Sequence, residues 1–347
     1  MLKSIEQAFS DGIINGFEFI GSRLKAQKKL SDNAELENKL KDKLEKRKSA
    51  FYKFYAETPH NNEVFDNDTI EKCVSEYDCF ICGGDQIWND WSDWFIYNAL
   101  ENYCLNFVPH SKIKFSYAPS IPLKKVRHIF IKKLVPALRD LDSISVREKS
   151  SVNLLEKETN RKVQVTVDPV LLLTRDQWDK EMHTICLSER YVFCYLLGTG
   201  HESRDAATKF ARKIGCKLVT LPHIINVLEE DQKFGDIQDY TSGPSEFLSL
   251  IKNAEAVITD SFHAAVFSMI YQKPFYVLER ATQVSGGSMG SRLTDFLEEY
   301  GLSNQMVDIK ALETDCGIPQ IDYTFSESVL RKRREESYHY LESNLQR

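Results

Sequence analysis

The sequence carries little net charge and no long apolar run. Its 45 lysines and arginines against 51 aspartates and glutamates leave a formal charge of −6, which offers no general attraction for a nucleic acid backbone. Any anion must be met locally. The longest apolar stretches, such as Tyr191 to Leu197, fall well short of the roughly 20 residues a spanning helix needs. The opening segment MLKSIEQAFSDG sets Glu6 and Asp11 among its apolar positions. It lacks the continuous core of an export signal, so a cytoplasmic protein with at most peripheral membrane contact is expected.

Motifs are missing as well. There is no GxGxxG of a dinucleotide fold and no GxxxxGK[ST] of a P-loop, so nucleotide binding has no positive motif. HExxH, GxSxG and the kinase set are also absent, and no repeat of fixed period appears. Cysteine is present eight times, but only Cys79 and Cys82 form a close CxxC. On a strand, positions three apart point to opposite faces, and no second CxxC completes four ligands. Structural thiols are expected, with no metal and no cofactor. Apolar residues make up 42% and charged residues 28% of the chain, which excludes global disorder. The length of 347 residues suits two domains better than one.

Ser31 and Asp32 precede Glu35 as a capping box, and Leu36, Leu40 and Leu44 recur every four residues toward Phe51 and Phe54. One long amphipathic helix is expected there. Its other face carries Lys39, Lys41, Lys43, Lys46, Arg47 and Lys48, which reads as a solvated face. From Glu76 the texture changes to short apolar runs followed by helical periods: DCFIC (78–82), KIKFSYA (112–118), SISVR (143–147), VQVTV (163–167), YVFCYLL (191–197), KLVTL (217–221), AEAVIT (254–259) and PFYVL (274–278). Strands alternating with helices imply parallel sheets and an α/β fold. DPVLLLTRDQWDK bridges two sheet units. The expected division is a first domain over 1–180 that includes the long helix, a second over 181–320, and a last helix over 321–347 whose RKRREE run is solvated surface.

Ligands of open parallel sheets collect beyond the carboxyl ends of the strands. Those ends hold Asp85 behind Gly83 and Gly84, Ser116 and Tyr117, Arg147 and Glu148, Asp168, and the group Asp260, Ser261 and His263. Asp85 serves either as a helix cap or as a catalytic carboxylate. Trp88, Trp91 and Trp94, spaced by three with Asp90 and Asp93 among them, read either as a core stripe or as a sugar-stacking surface. TDSFHAAVFSMIY is the most informative segment. Asp260 or Ser261 can cap an almost wholly apolar helix, which must be buried and which holds His263 in its first turn. The helix dipole disfavours the imidazolium and a bound anion favours it. Arg147 directly after a strand, with Ser150 and Ser151 at a helix start, suits a carboxylate or phosphate. Arg292, behind the loop Gly286 to Gly290, can close over the same anion. Pairing with Glu148 or Asp295 is the plainer role for these two arginines. Asp66 and Asp68 in FDNDT read as caps rather than metal ligands.

The ordered segments YDCFICGGDQIWN, KIKFSYAPS, ISVREKSS, VTVDPVLLL, FLSLIKNAEAVITDSFHAAVFS, KPFYV and SRLTDFL, over roughly residues 50 to 305, resemble the polysaccharide pyruvyl transferase family. The resemblance implies two Rossmann-like domains facing across a cleft, as in the two-domain inverting glycosyltransferase fold. Its donor is phosphoenolpyruvate and its acceptor a hydroxyl pair on a sugar or lipid-linked oligosaccharide. The product is a pyruvate ketal on a surface polysaccharide precursor. It carries Asp85, Arg147 and His263 over as functional positions. Two features depart from the family. Many relatives hold an arginine where this chain has Ser261, a place Arg292 or Arg280 would have to fill, and the first domain is expected to be shortened.

The expected site therefore has His263 and Asp85 as catalytic acid and base, in either assignment, with Arg147, Ser261, Arg292, Ser116, Trp88 and Asn89 contacting substrate. Rival functions are a nucleotide-sugar glycosyltransferase and a non-catalytic polysaccharide-binding module.

Overall fold

The computed structural model describes residues 23–60, 63–90, 92–121, 127–223, 228–280, 290–314 and 317–346. Of these, one compact unit takes the residues up to Ser31, those from 63 to Asp168 and those from Glu336 on. The second takes those from Asp32 to 60 and from Pro169 to Glu335.

Helix α1 spans Arg23–Glu57. It begins upstream of the expected capping box, because RLKAQKKL is rich in strong helix formers, and Ser31 and Asp32 lie inside it. From Asp32 it belongs to the second unit rather than the first. Leu40 is buried against Tyr240 with Leu44 beside it, and a Cβ on Gly243 would come 2.7 Å from that of Ala50. The basic face needs one correction. Lys39, Lys41, Lys43 and Lys46 are exposed, but Arg47 is only 7% exposed.

Unit 1 contains β1 (Cys79–Gly83), α2 (Asp93–Asn98), β2 (Ile113–Tyr117), α3 (His128–Arg139), β3 (Ile144–Val146), α4 (Val152–Thr159) and β4 (Val163–Val165). β1 pairs with β2 and β3 with β4, all parallel. A bridge between Phe115 and Ser143 links the two pairs. Beside it the Ser116 and Ser145 hydroxyls each donate to the other residue's carbonyl at 2.9 Å. Cys82 shares the buried face with Phe80, whereas Cys79 points the other way. The seven described cysteines are free. Trp88, Leu100, Phe130, Leu134 and Leu138 form the centre of the core at 0% exposure.

Unit 2 holds α5 (Arg175–Glu181), β5 (Tyr191–Tyr195), α6 (His201–Lys213), β6 (Lys217–Thr220), β7 (Ile237–Gln238), α7 (Pro244–Lys252), β8 (Ala256–Thr259), α8 (Phe262–Ile270), β9 (Phe275–Val277), α9 (Gly290–Glu299) and α10 (Ile309–Thr314). Its parallel sheet has the order β7-β6-β5-β8-β9. The chain runs outward from β5 to β7 and then returns to the other side of β5, so the order reverses between β5 and β8. In such sheets that reversal is where ligands bind.

The first unit ends after Asp168 and not near residue 180, because the bridge packs on unit 2: Trp178 meets Phe267 edge-on at 5.0 Å and Arg175 donates to the Ile270 carbonyl. The last helix, α11, spans Thr324–Leu345. Its basic run is not simply solvated. Arg333 pairs with Glu299 at 2.6 Å, and Arg334 donates to the Leu171 and Leu173 carbonyls. No helix among the described residues is long and apolar enough to cross a membrane.

Candidate active site

In unit 1 the turn after β1 presents Asp85, whose side chain is 65% exposed. No helix follows it, so it is not a helix cap. Its φ of +24° is a backbone state that non-glycine residues rarely adopt and that is found preferentially at functional sites. Its carbonyl accepts from the Ser120 amide at 2.6 Å.

The Arg147 guanidinium lies 3.7 Å from the Asp85 carboxylate. It also donates to Asp168, and Nε reaches Glu148 at 3.2 Å. Burial works against its charge, but Asp168, Glu148 and Asp85 more than offset this and hold its pKa above the ordinary value. Three carboxylates against one cation leave local negative charge, so an incoming anion would compete for Arg147. Glu148 in turn accepts from Ser120 and the Ile121 amide, which fixes the network in place.

Other expected contacts in unit 1 are engaged in the fold. Trp88 is 0% exposed and donates its indole N–H to the Tyr103 carbonyl, so it is core and not a sugar-stacking surface. The helix read through all three tryptophans starts only at Asp93, where the Ser92 hydroxyl accepts from the Phe95 amide. Trp94, at 55% exposed, is the one on its surface, and Trp91 lies outside the described residues. Asp90 and Asp93 both hold Arg127. Ser116 is 0% exposed, with its hydroxyl committed to Ser145, and is structural. Asn89 is half-buried and donates to Gln86 at 3.0 Å. Asp66 is not the expected helix cap: the helical turn Ile70–Ser75 has Thr69 at its N-cap without a side-chain bond, and the Asp66 carboxylate accepts from the Asp68 amide and the Thr69 hydroxyl in the turn before it.

In unit 2 the polar residues gather at the reversal of strand order. Ser261 is the N-cap of α8, but its side chain makes no capping hydrogen bond. Asp260 does not cap either. Its carboxylate accepts from the Leu197 and Gly198 amides at 2.7 and 2.8 Å, so it fastens the loop after β5 to the end of β8. Eight of the nine residues of α8 are buried, and the exception is His263 in its first turn. From the end of β9, Arg280 donates to the Asp260 carbonyl at 2.9 Å, with Nε 3.5 Å from the Asp260 carboxylate. Arg292 is 7% exposed near the start of α9, and residues 286–289 of the loop before it lie outside the described residues.

Sequence reasoning missed a second group here. Buried Arg204 holds the Gly198 and Gly200 carbonyls and pairs with Asp231 at 2.7 Å. Asp231 meets His223 Nδ1 at 2.7 Å, and His223 Nε2 faces the Leu197 carbonyl at 3.2 Å. Burial acts to raise the Asp231 pKa, but hydrogen bonds from His223 and Arg204 outweigh it and hold this carboxyl below its usual range. The β5–α6 loop is thus held from two sides. No local signal marked Asp231, which stands in the polar run EEDQK. Among the described residues, no group of three or more His, Cys, Asp or Glu is placed to hold a metal.

The family profile for polysaccharide pyruvyl transferase matches residues 6–282. The chain belongs to this family. No curated protein matches it. Among solved structures, the UDP-GlcNAc 2-epimerase of Methanocaldococcus jannaschii is similar at 14% identity and a TM-score of 0.50, over 78% of this chain and 80% of that one. The Neisseria meningitidis UDP-GlcNAc 2-epimerase, solved with UDP-GlcNAc, is 15% identical over 79% of this chain and 80% of its own, with a TM-score of 0.41. The glycosyltransferase SnogD of Streptomyces nogalater is 9% identical over 80% and 78%, with a TM-score of 0.36. The first likeness establishes the fold: this pyruvyl transferase family member is an α/β protein of two Rossmann-like domains, similar to the two-domain glycosyltransferase fold. Arg280 thus brings a cation to the turn that carries Asp260 and Ser261.

Proposed function

We propose that the protein moves the pyruvyl group of phosphoenolpyruvate onto two hydroxyls of one sugar, forming a pyruvate ketal in the assembly of a surface polysaccharide. The observation that carries the reading is His263. In a pyruvyl transferase family member, it is the one residue of α8 left unburied, and it stands in the first turn of a helix whose amino end has no side-chain cap.

Phosphoenolpyruvate carries about three negative charges near neutrality, counting its phosphate as about −2. The first-turn amides of α8 and the Arg280 guanidinium answer that charge. His263 gives a proton to the methylene carbon, which becomes the methyl group, and positive character develops at C2. One sugar hydroxyl adds to C2 and loses its proton. The C2–O bond to phosphate breaks, the phosphate leaves with the electron pair, and the second hydroxyl closes the ketal and loses its proton in turn. Asp85 is assigned the base that takes hydroxyl protons, with the Arg147 guanidinium 3.7 Å away orienting its carboxylate. No cofactor is required. Arg292 is a further candidate for the donor's carboxylate. The acceptor is a sugar or a lipid-linked oligosaccharide, met from the cytoplasm.

The test is incubation with phosphoenolpyruvate and candidate acceptors, read by phosphate release and by ketal formation. Phosphoenolpyruvate is expected to be consumed and nucleotide sugars left intact. His263→Ala should lower turnover by about 100-fold or more. Full phosphate release and ketal formation by that variant, or consumption of a nucleotide sugar instead, would overturn the reading.

A further inference from the structure

Arg47 differs from the other basic residues of α1. It is 7% exposed, and among the described residues its guanidinium makes one hydrogen bond, from Nη1 to the Pro222 carbonyl at 3.1 Å. Its buried Nε has no hydrogen-bond partner, and it forms no ion pair among the described residues. Asp239 faces it electrostatically, but that carboxylate is already taken. It accepts from the Thr241 amide and hydroxyl, the Ser242 amide and the Ser242 hydroxyl.

A buried guanidinium without a bound counter-ion is strongly unfavourable, because desolvation is not offset by a close opposite charge. Desolvation accordingly holds the Arg47 pKa below its ordinary value. Two phenols share the place. Tyr240 is 3% exposed and its hydroxyl has no hydrogen-bond partner, while Tyr195 interacts electrostatically with Arg47. Burial pushes the Tyr240 phenol up to about 12, so its hydroxyl is a donor at neutral pH.

Tyr195 ends β5, Pro222 lies two residues beyond β6, and Tyr240 two residues beyond β7. These are neighbouring parallel strands, so Arg47 and both phenols meet at their carboxyl ends, on the opposite side of β5 from His263. We propose that Arg47, with the Tyr240 and Tyr195 hydroxyls, forms an anion-binding subsite that takes a phosphate or carboxylate group at the carboxyl edge of the unit 2 sheet. The inference does not depend on the transfer chemistry.

The test uses the full chain and follows its melting temperature while inorganic phosphate is titrated. The wild type should be stabilised as phosphate binds the native state. Arg47→Met should bind phosphate at least about tenfold more weakly, as expected for loss of a charged hydrogen-bond donor. It should melt no lower than the wild type in phosphate-free buffer, because an unpaired buried charge has been removed. Tyr240→Phe, which keeps the ring and its packing, should weaken phosphate binding about threefold and carries the test if Arg47→Met does not fold. Parallel titrations with phosphoenolpyruvate and with a sugar 1-phosphate assign the subsite to donor or acceptor by which affinity depends on Arg47. His263→Ala should retain the Arg47-dependent phosphate affinity, which separates failure of this subsite from failure of the transfer mechanism. Phosphate affinity unchanged in both Arg47→Met and Tyr240→Phe would overturn the proposal and leave Arg47 as a clamp on Pro222.

Discussion

Gly83 and Tyr117 approach so closely at the ends of β1 and β2 that a Cβ on the glycine would come 1.9 Å from the tyrosine carbonyl oxygen. The same oxygen accepts from the Gly84 amide at 3.0 Å, and Gly84 has a φ of +74°. The two glycines therefore set the turn that presents Asp85. Because the obstructing atom is backbone, no side-chain rearrangement can relieve the clash. Gly83→Ala should destabilise the protein by about 3 kcal/mol or more, measured by urea unfolding. A loss under about 0.5 kcal/mol would contradict this geometry.

Trp88 and Trp94 should behave in opposite ways. Removing the fully buried indole in Trp88→Ala should cost about 3–5 kcal/mol through lost packing and a cavity, with the Tyr103 carbonyl losing its donor. Trp94→Ala, on the surface of α2, should change stability by no more than about 0.5 kcal/mol. Equal effects in thermal or chemical denaturation would refute the assignment of Trp88 to the core.

Asp231 should contribute to acid sensitivity. Its pKa in the folded state lies below that of the unfolded chain, so its stabilisation is fully present above the unfolded value of about 3.9 and is lost as pH falls through the folded value. Melting temperature followed from pH 6 to pH 2 should therefore drop below about pH 4, and Asp231→Asn should show a shallower drop. Parallel curves for the two proteins would mean that His223 and Arg204 do not favour the ionised carboxylate.

Eight of the described strands were legible as apolar runs, because parallel strands buried on both faces read as continuous hydrophobic segments. β7 was not, since Ile237 and Gln238 are too few to show a period. The burial of α8 was equally legible, and so was the exceptional place of His263, one polar ring in an apolar helix. What the sequence could not show was pairing across distance. Asp260 looked like a cap, yet its carboxylate reaches amides 62 and 63 positions earlier. Arg147 and Asp168 were both visible at strand ends, but their ion pair was not. Trp88 shared a spacing with Trp91 and Trp94 that a helix would explain, and the helix start at Asp93 breaks it. Arg47 sat in a run of lysines, and only a carbonyl 175 residues away shows that it is buried.

That separation bears on how the chain matures. The helix carrying Arg47 leaves the ribosome well before the segment that anchors it, and at about 5–20 residues per second it waits on the order of 10 to 30 seconds for Pro222. Tyr340 closes on the Ser116 carbonyl across 224 residues, so the first unit too depends on late-emerging sequence. Neither unit is built from one continuous stretch of chain, so in each an early segment has to wait for a later one before its core can close.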